Sequence, residues 1–176
     1  MRTHLIVVGA PGVGKSTVIS VLKGLATRRK AELSVSEGLP TSDRSRLEAL
    51  VSAVPLIVWD AGQRSACPLS EYVAQHTQQL ARSLCAHAMA TRAKGGGAGG
   101  GAGGGGEPAA AMESRVEKML LARKIVLCNK SDVQPCPLPE IAALDPGTLF
   151  LAGSAVRGTN MRELWRRVET CAARRH

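Results

Sequence analysis

Mostly apolar residues form four short continuous runs along the chain, at residues 4–8, 54–59, 124–128 and 148–152. Runs of this length are typical of parallel strands that are buried on both faces. They alternate with segments in which apolar residues recur at helical spacing, most clearly after Lys15 and after Asn160. This alternation predicts a doubly wound α/β fold, with a mostly parallel sheet and helices on both faces.

The middle of the chain has a weaker pattern. Residues 26–53 are mostly polar, and an alanine- and glutamine-rich stretch predicts a helix at residues 69–82. The sheet needs a further strand beside the first one, so we expect a weak strand at residues 83–88, although that segment holds no Val or Ile. Residues 95–106 are ten Gly and two Ala, which predicts a flexible insert within a single domain of residues 1–176.

The first run leads into a phosphate-loop motif. Residues 9–16, Gly-Ala-Pro-Gly-Val-Gly-Lys-Ser, match G-x-x-x-x-G-K-S/T in full, between a strand and a helix. Backbone N–H groups and the helix N-terminus bind phosphate in this context, without choosing between ATP and GTP. Lys15 is expected to reach the β- and γ-phosphates and to assist catalysis there, and Ser16 to ligate Mg²⁺. The predicted phosphate-binding residues are Gly9, Gly12, Val13, Gly14, Lys15, Ser16 and Thr17.

Two later loops bear on the choice of base. Residues 129–132, Asn-Lys-Ser-Asp, resemble the N-K-x-D sequence of the Ras superfamily of GTPases, and Ser154-Ala155 resembles the S-A element after their last strand. The resemblance implies a P-loop fold of the small G-domain type, a GTPase domain that binds GTP and GDP. Adenine lacks the donor pair that guanine offers to a carboxylate, so such a site discriminates strongly.

In that family each of these positions has a defined role. The resemblance implies that Asp132 accepts hydrogen bonds from guanine N1 and N2 and that the stem of Lys130 lies against the base. It also implies that Asn129 ties this loop to the phosphate loop. The backbone N–H of Ala155, which follows Ser154, would meet guanine O6.

The middle of the chain resembles the Arf/Arl branch of the superfamily. Residues 39–41, Leu-Pro-Thr, are similar to its first switch, and residues 58–63, Val-Trp-Asp-Ala-Gly-Gln, to its second. Residues 68–69, Pro-Leu, and residues 75–80, Gln-His-Thr-Gln-Gln-Leu, resemble the P-L and Q-N-T-Q-G-L motifs of the branch at corresponding offsets. The resemblance thus extends over most of the chain.

The branch also implies roles for the two switches. Thr41 would bind Mg²⁺ directly when GTP is present, and Asp60 would hold the same ion through water, together with Ser16. Gln63 would be catalytic by orienting the attacking water. The second switch is one residue shorter than the family pattern, so Gly62 meets the γ-phosphate only after a local shift. A displacement of Gln63 by about 1 Å lowers a rate by on the order of a hundredfold.

Two hypotheses follow for the function. The first is a GTPase switch with slow intrinsic hydrolysis, placed by the resemblance in membrane or ciliary traffic. Effectors, an exchange factor and a GTPase-activating protein would bind it at residues 34–46 and 60–75. The alternative is a pseudo-GTPase that holds guanine nucleotide without turnover. A P-loop kinase or ATPase is disfavoured, because it would leave the guanine-type loop unused.

Charge and composition change this interpretation little. The 23 Lys and Arg exceed the 14 Asp and Glu, but no basic patch is interleaved with aromatic residues, so no nucleic-acid partner is expected. Arg2 excludes N-myristoylation and residues 172–176 hold no Cys for prenylation, so a membrane would be reached only through partners. Five cysteines without C-x-x-C spacing predict reduced thiols in a cytoplasmic protein, expected to be a monomer.

Overall fold

A computed structural model of the chain describes residues 2–38, 53–60, 62, 67–95, 109–136 and 138–173. Within these residues the strands are β1 Arg2–Val8, β2 Glu32–Glu37, β3 Ala53–Asp60, β4 Ile125–Asn129 and β5 Leu149–Ala152. The helices of the same residues are α1 Lys15–Arg28, α2 Leu69–Gly95, α3 Ala109–Leu121, α4 Leu138–Ala142 and α5 Met161–Ala173. The four predicted apolar runs correspond to β1, β3, β4 and β5.

The five strands form one parallel sheet in the order β2-β1-β3-β4-β5. The predicted parallel α/β sheet is therefore confirmed. At its carboxyl edge, Val7 pairs with Glu37, and Asp60 pairs with Asn129. The polar residues that end these strands thus lie along the edge at which open α/β sheets bind their ligands.

The apolar runs did not predict β2. Its sequence alternates as Glu-Leu-Ser-Val-Ser-Glu, and Leu33 and Val35 pack against the core. A period of two is the pattern of a strand with one apolar face. Because β2 contains only these two apolar residues and lies in a mostly polar segment, its strand pattern is short and hard to recognise. As an edge strand paired with β1, β2 delivers Glu37 next to the phosphate loop.

The weak strand expected at residues 83–88 is wrong. This segment lies inside α2, which continues from Leu69 to Gly95. Leu80 and Leu84 are buried one helical turn apart and contribute to the core. Both sides of β1 are occupied, by β2 and by β3, so the sheet has no place for a further strand beside it.

Helices cover both faces of the sheet, as predicted. One apolar cluster joins the sheet to α1 and α5 and includes Trp165, whereas the cluster on the opposite face joins it to α2 and α3 and includes Trp59. In the part of the chain that the structure describes, no helix is long and apolar enough to cross a membrane. The first switch at residues 39–41 and residues 96–106 of the Gly-rich insert lie outside the described residues.

Candidate nucleotide-binding site

The loop between β1 and α1 carries the predicted phosphate-binding residues, and close neighbours fix two of its glycines. Gly14 has a φ of 90°, and a Cβ there would lie 2.5 Å from the side-chain nitrogen of Asn129. Gly9 has a φ of 152°, and a Cβ there would collide with the Val58 carbonyl oxygen. Because an L side chain fits neither position, the path of the loop depends on both glycines.

Lys15 folds back over this loop. Its ammonium donates hydrogen bonds to the carbonyl oxygens of Gly9 at 3.0 Å and Ala10 at 2.9 Å. Ser16 and Thr17 follow in the first turn of α1, and both are exposed. The loop thus presents a cation and two hydroxyl-bearing residues at the amino end of a helix, an arrangement suited to phosphate.

Tyr72, in the first turn of α2, joins the phosphate loop to β3. Its hydroxyl accepts a hydrogen bond from the Ala10 N–H at 2.6 Å and donates one to the Val58 carbonyl at 3.0 Å. Burial raises the pKa of this phenol, so it stays protonated and can donate. The role of Tyr72 could not be predicted from the sequence, because its partners lie 62 and 14 residues away. The only signal was that it is the single tyrosine of the chain.

Asn129, the last residue of β4, joins three loops. Its Nδ2 donates to the Val13 carbonyl at 2.9 Å, and its Oδ1 accepts from the Ala155 N–H at 3.0 Å. The predicted tie between this loop and the phosphate loop is therefore confirmed. The Ala155 N–H, which the family resemblance directs at guanine O6, points to Asn129 here. Since Asn129 is buried, both bonds are shielded from water.

Asp132 lies in the turn after β4. A hydrogen bond from the Ser154 hydroxyl lowers the pKa of its carboxyl, and the Arg157 guanidinium, 3.7 Å away, lowers it further. An aspartate carboxyl is ionised at neutral pH even at its ordinary pKa, so this group only accepts hydrogen bonds. Its side chain is 27% exposed, which leaves it accessible to a ligand. No motif marked Arg157, whose backbone N–H also donates to the Ser154 hydroxyl oxygen at 3.2 Å.

Lys130 links the base-side loop to two other segments. Its ammonium lies 2.7 Å from Asp60 Oδ2 and donates to the Gly12 carbonyl at 2.9 Å. The other oxygen of Asp60 accepts the Gly62 N–H at 2.9 Å. The Gly62 N–H, which the resemblance directs at the γ-phosphate, is thus bonded to Asp60.

The Ser16 hydroxyl has an unexpected partner. It donates to both carboxylate oxygens of Glu37, at 3.2 and 3.3 Å. Among the described residues, the hydrogen-bond partners of the Asp60 carboxylate are Lys130 and Gly62, not Ser16. No motif singled out Glu37, and its position at the end of an unpredicted strand explains why. The other residues predicted to serve Mg²⁺ and catalysis, Thr41 and Gln63, lie outside the described residues.

The donor set around Ser16 fits Mg²⁺ when phosphates are also present. Across residues 2–38, 53–60, 62, 67–95, 109–136 and 138–173, no group of three or more His, Cys, Asp or Glu side chains could hold a metal ion. An ion at Ser16 would therefore need phosphate oxygens as further ligands. Mg²⁺ is commonly bound in this way, by one or two protein oxygens together with substrate phosphates and water.

Comparison with solved structures supports the fold. The chain is similar to translation elongation factor SelB from Methanococcus maripaludis in its apo form, with a TM-score of 0.54, 16% identity, and coverage of 98% of this chain and 34% of SelB. It is also similar to a variant of SsGBP, with a TM-score of 0.53, 16% identity, and coverage of 99% of this chain and 57% of that protein. The chain thus spans less than two thirds of either protein.

A further similarity is to the G domain of the FeoB iron transporter of T. maritima, with a TM-score of 0.45, 12% identity, and coverage of 98% of this chain and 99% of that domain. No protein-family model matches the chain, and its sequence matches no functionally characterised protein. At these identities the likeness concerns the fold alone. It supports the α/β fold and does not extend to the Arf/Arl branch.

Proposed function

We propose that the chain binds GTP and GDP together with Mg²⁺ and works as a GTPase switch. The observation that carries the proposal is the Asp132 carboxylate, which is 27% exposed beside Ser154 and lies 3.7 Å from the Arg157 guanidinium. Its loop is tied to the phosphate loop through Asn129. An ionised carboxylate only accepts hydrogen bonds, so guanine, with donors at N1 and N2, satisfies it and adenine does not.

The phosphates would lie on the loop between β1 and α1. The backbone N–H groups of residues 12–17 would bind them, and the Lys15 ammonium would supply a positive charge from its position over the loop. Ser16 is the residue that would hold Mg²⁺ directly. When bound, Mg²⁺ would neutralise negative charge on the β- and γ-phosphates.

A pseudo-GTPase is the second candidate, and one hydrogen bond favours it. The Gly62 N–H is bonded to Asp60, so the donor that a γ-phosphate needs already has a partner. In the switch, Gln63 and Lys15 would act in hydrolysis. A single-turnover assay separates the two candidates. Hydrolysis well above the rate of free GTP supports the switch, and tight GTP binding without acceleration supports the pseudo-GTPase.

We further propose the Arf-like type, on the support of the sequence motifs at residues 39–41, 58–63 and 75–80. Effectors, an exchange factor and a GTPase-activating protein would bind residues 34–46 and 60–75 of a cytoplasmic monomer. Membranes would be reached through these partners, in membrane or ciliary traffic. Affinity capture with protein loaded with a GTP analogue or with GDP tests this. Proteins retained only by the GTP-analogue form would be effectors.

The central experiment changes the base preference. We expect the full chain to bind a fluorescent GDP that GTP displaces and ATP does not. Asp132→Asn replaces one accepting carboxylate oxygen with a donating NH2 group. The variant should therefore lose GTP affinity by on the order of a hundredfold and gain affinity for xanthosine triphosphate. Competition titrations against the fluorescent GDP measure both changes.

A surface variant serves as the matched control. Glu113→Gln removes a carboxylate charge from α3, where Glu113 forms an exposed ion pair with Arg82. Because such pairs contribute about 0–1 kcal/mol, this variant should bind GTP as the wild type does. Equal displacement by ATP and GTP would contradict the proposal. So would an Asp132→Asn protein that still prefers GTP.

A further inference from the structure

Acidic residues end both strands that flank β1. Glu37 ends β2 and Asp60 ends β3, and β1 lies between these strands in the sheet. Neighbouring strands are about 4.8 Å apart, so the ends of β2 and β3 are separated by roughly 10 Å. In this structure the hydroxyl of Ser16 contacts the carboxylate of Glu37, and the described hydrogen-bond partners of Asp60 are Lys130 and Gly62.

The hydroxyl of Ser16 contacts Glu37. It donates to both carboxylate oxygens, at 3.2 and 3.3 Å. The end of β2 is held in place because Glu37 pairs in register with Val7 of β1, and the Gly38 N–H donates to the Val7 carbonyl at 2.8 Å. The contact between Ser16 and Glu37 thus follows from the pairing of β1 with β2.

Asp60 is engaged on the other side of β1. The Lys130 ammonium lies 2.7 Å from one of its oxygens, and the Gly62 N–H donates to the other at 2.9 Å. Asp60 is buried, whereas Glu37 is exposed at the mouth of the site. If Asp60 turned toward a metal, its carboxylate would have to leave Lys130 and the Gly62 N–H, the two partners that hold it on this side of β1.

We infer that Glu37, and not Asp60, is the acidic residue that positions Ser16 for Mg²⁺, while Asp60 anchors Lys130 of the base-side loop. This inference rests on the proposed function. By accepting the Ser16 proton in a hydrogen bond, Glu37 leaves the lone pairs of that hydroxyl oxygen for a metal ion. The negative charge of Glu37 beside Ser16 also favours a divalent cation.

The short second switch fits this role of Asp60. A segment whose Asp serves a metal must keep a fixed spacing to the residues that meet the γ-phosphate. Asp60 is instead paired with Lys130, so that spacing no longer constrains the segment. The missing residue between Asp60 and Gln63 is consistent with this change of role.

The experiment measures how strongly Mg²⁺ retains a bound nucleotide. The full chain is loaded with a fluorescent GDP, and its release is followed against excess GDP over a range of Mg²⁺ concentrations and after addition of EDTA. In Glu37→Gln, the Mg²⁺ concentration for half-maximal retention should rise by about 10–100-fold, the range typical of residues that position a metal ligand. Asp60→Asn should instead speed release by a similar factor with and without Mg²⁺. Glu32→Gln, at the opposite end of β2, is the matched control and should retain the wild-type Mg²⁺ requirement.

The outcomes separate this inference from the proposed function. If the wild-type chain binds no guanine nucleotide, the proposed function fails. If it binds GDP in a Mg²⁺-dependent manner, but Glu37→Gln keeps the wild-type requirement or Asp60→Asn shifts it as much, the inference alone fails. Circular dichroism checks the folding of each variant. Should Glu37→Gln not fold, Glu37→Asp keeps the charge, and its shorter side chain should give a smaller shift in the same direction.

Discussion

A single phenol oxygen, that of Tyr72, holds the phosphate loop at Ala10 against β3 at Val58. Tyr72 is buried, so water does not readily replace either partner. A buried hydrogen bond contributes about 0.5–1.5 kcal/mol, and a buried group that loses its partner costs about 1–3 kcal/mol. The loop therefore depends on a helix that lies far from it in sequence.

Removal of this oxygen should weaken both the fold and the site. We expect Tyr72→Phe to lower the free energy of unfolding by about 1–3 kcal/mol, because the Ala10 N–H and the Val58 carbonyl lose this partner. Nucleotide affinity should fall as well, since the loop is less firmly held. Urea denaturation and titration with a fluorescent GDP measure the two effects.

Thr77→Val is the matched control for this variant. The Thr77 hydroxyl donates to the Val73 carbonyl at 2.7 Å, a buried hydrogen bond within α2 that does not involve the phosphate loop. Its loss should lower stability without changing nucleotide affinity. A Tyr72→Phe protein that binds GDP as tightly as Thr77→Val does would contradict the role given to Tyr72.

Motifs predicted part of the site, and contacts distant in sequence supply the rest. The role of Asn129 could be predicted because its neighbours in the motif identify the loop. Tyr72 and Glu37 could not, because each acts through a partner on another element and neither belongs to a recognisable pattern. Glu37 contacts Ser16 only because β2 lies beside β1.

Among the elements, α2 includes the segment at residues 83–88 for which a strand was expected. The N–H of Leu69, the first residue of α2, has no hydrogen-bond partner within the helix. It donates instead to the Glu140 carboxylate of α4 at 2.8 Å. From there α2 continues through residues 83–88. The expected strand in this segment followed from an assumed sheet order, whereas alanine-rich composition favours a helix.

Substitutions at Ala86 distinguish a helix from a strand. Ala86 is exposed, so propensity rather than packing decides the effect. In a helix, Ala86→Val should lower the free energy of unfolding by about 0.5 kcal/mol and Ala86→Gly by about 1 kcal/mol. In a strand, Val would stabilise relative to Ala. Urea midpoints of both variants give the sign, and a more stable Ala86→Val protein would contradict the helix.

The strands were predictable to different degrees for a physical reason. β1, β3 and β4 lie inside the sheet and β5 at its far edge, and all four carry mostly apolar runs, which stand out in any window of the sequence. β2 is at the edge and needs apolar residues on one face only, so Leu33 and Val35 are its whole signal. The edge strand β5 was recognised because all four of its residues are apolar, whereas β2 alternates apolar and polar residues.

For the molecule as a whole, the sheet separates two apolar clusters, and each contains one of the two tryptophans of the chain. Trp59 lies on the face of α2 and α3, and Trp165 on the face of α1 and α5. Strands β1 and β3 contribute side chains to both clusters, because successive side chains of a strand point to opposite faces of the sheet. The two halves of the core are therefore connected through the backbone of the sheet.

This connection predicts cooperative unfolding. In Trp165→Phe and Trp59→Phe, the remaining indole reports one face of the sheet. Each variant should be less stable than the wild type by about 0.5–3 kcal/mol. Within each variant, the urea transitions followed by indole fluorescence and by far-ultraviolet circular dichroism should coincide. Separate midpoints for the two probes would show that one layer of helices unfolds before the sheet.

The amide of Asn129 makes the two ends of the ligand site mutually dependent. One atom of this side chain holds Val13 and the other holds Ala155, so displacement of either loop disturbs the other. In thermodynamic terms, a guanosine fragment and a pyrophosphate fragment should each raise the affinity for the other, and by the same factor. A whole nucleotide would then bind more tightly than the affinities of its two fragments predict, and Asn129→Ala should abolish this additional affinity.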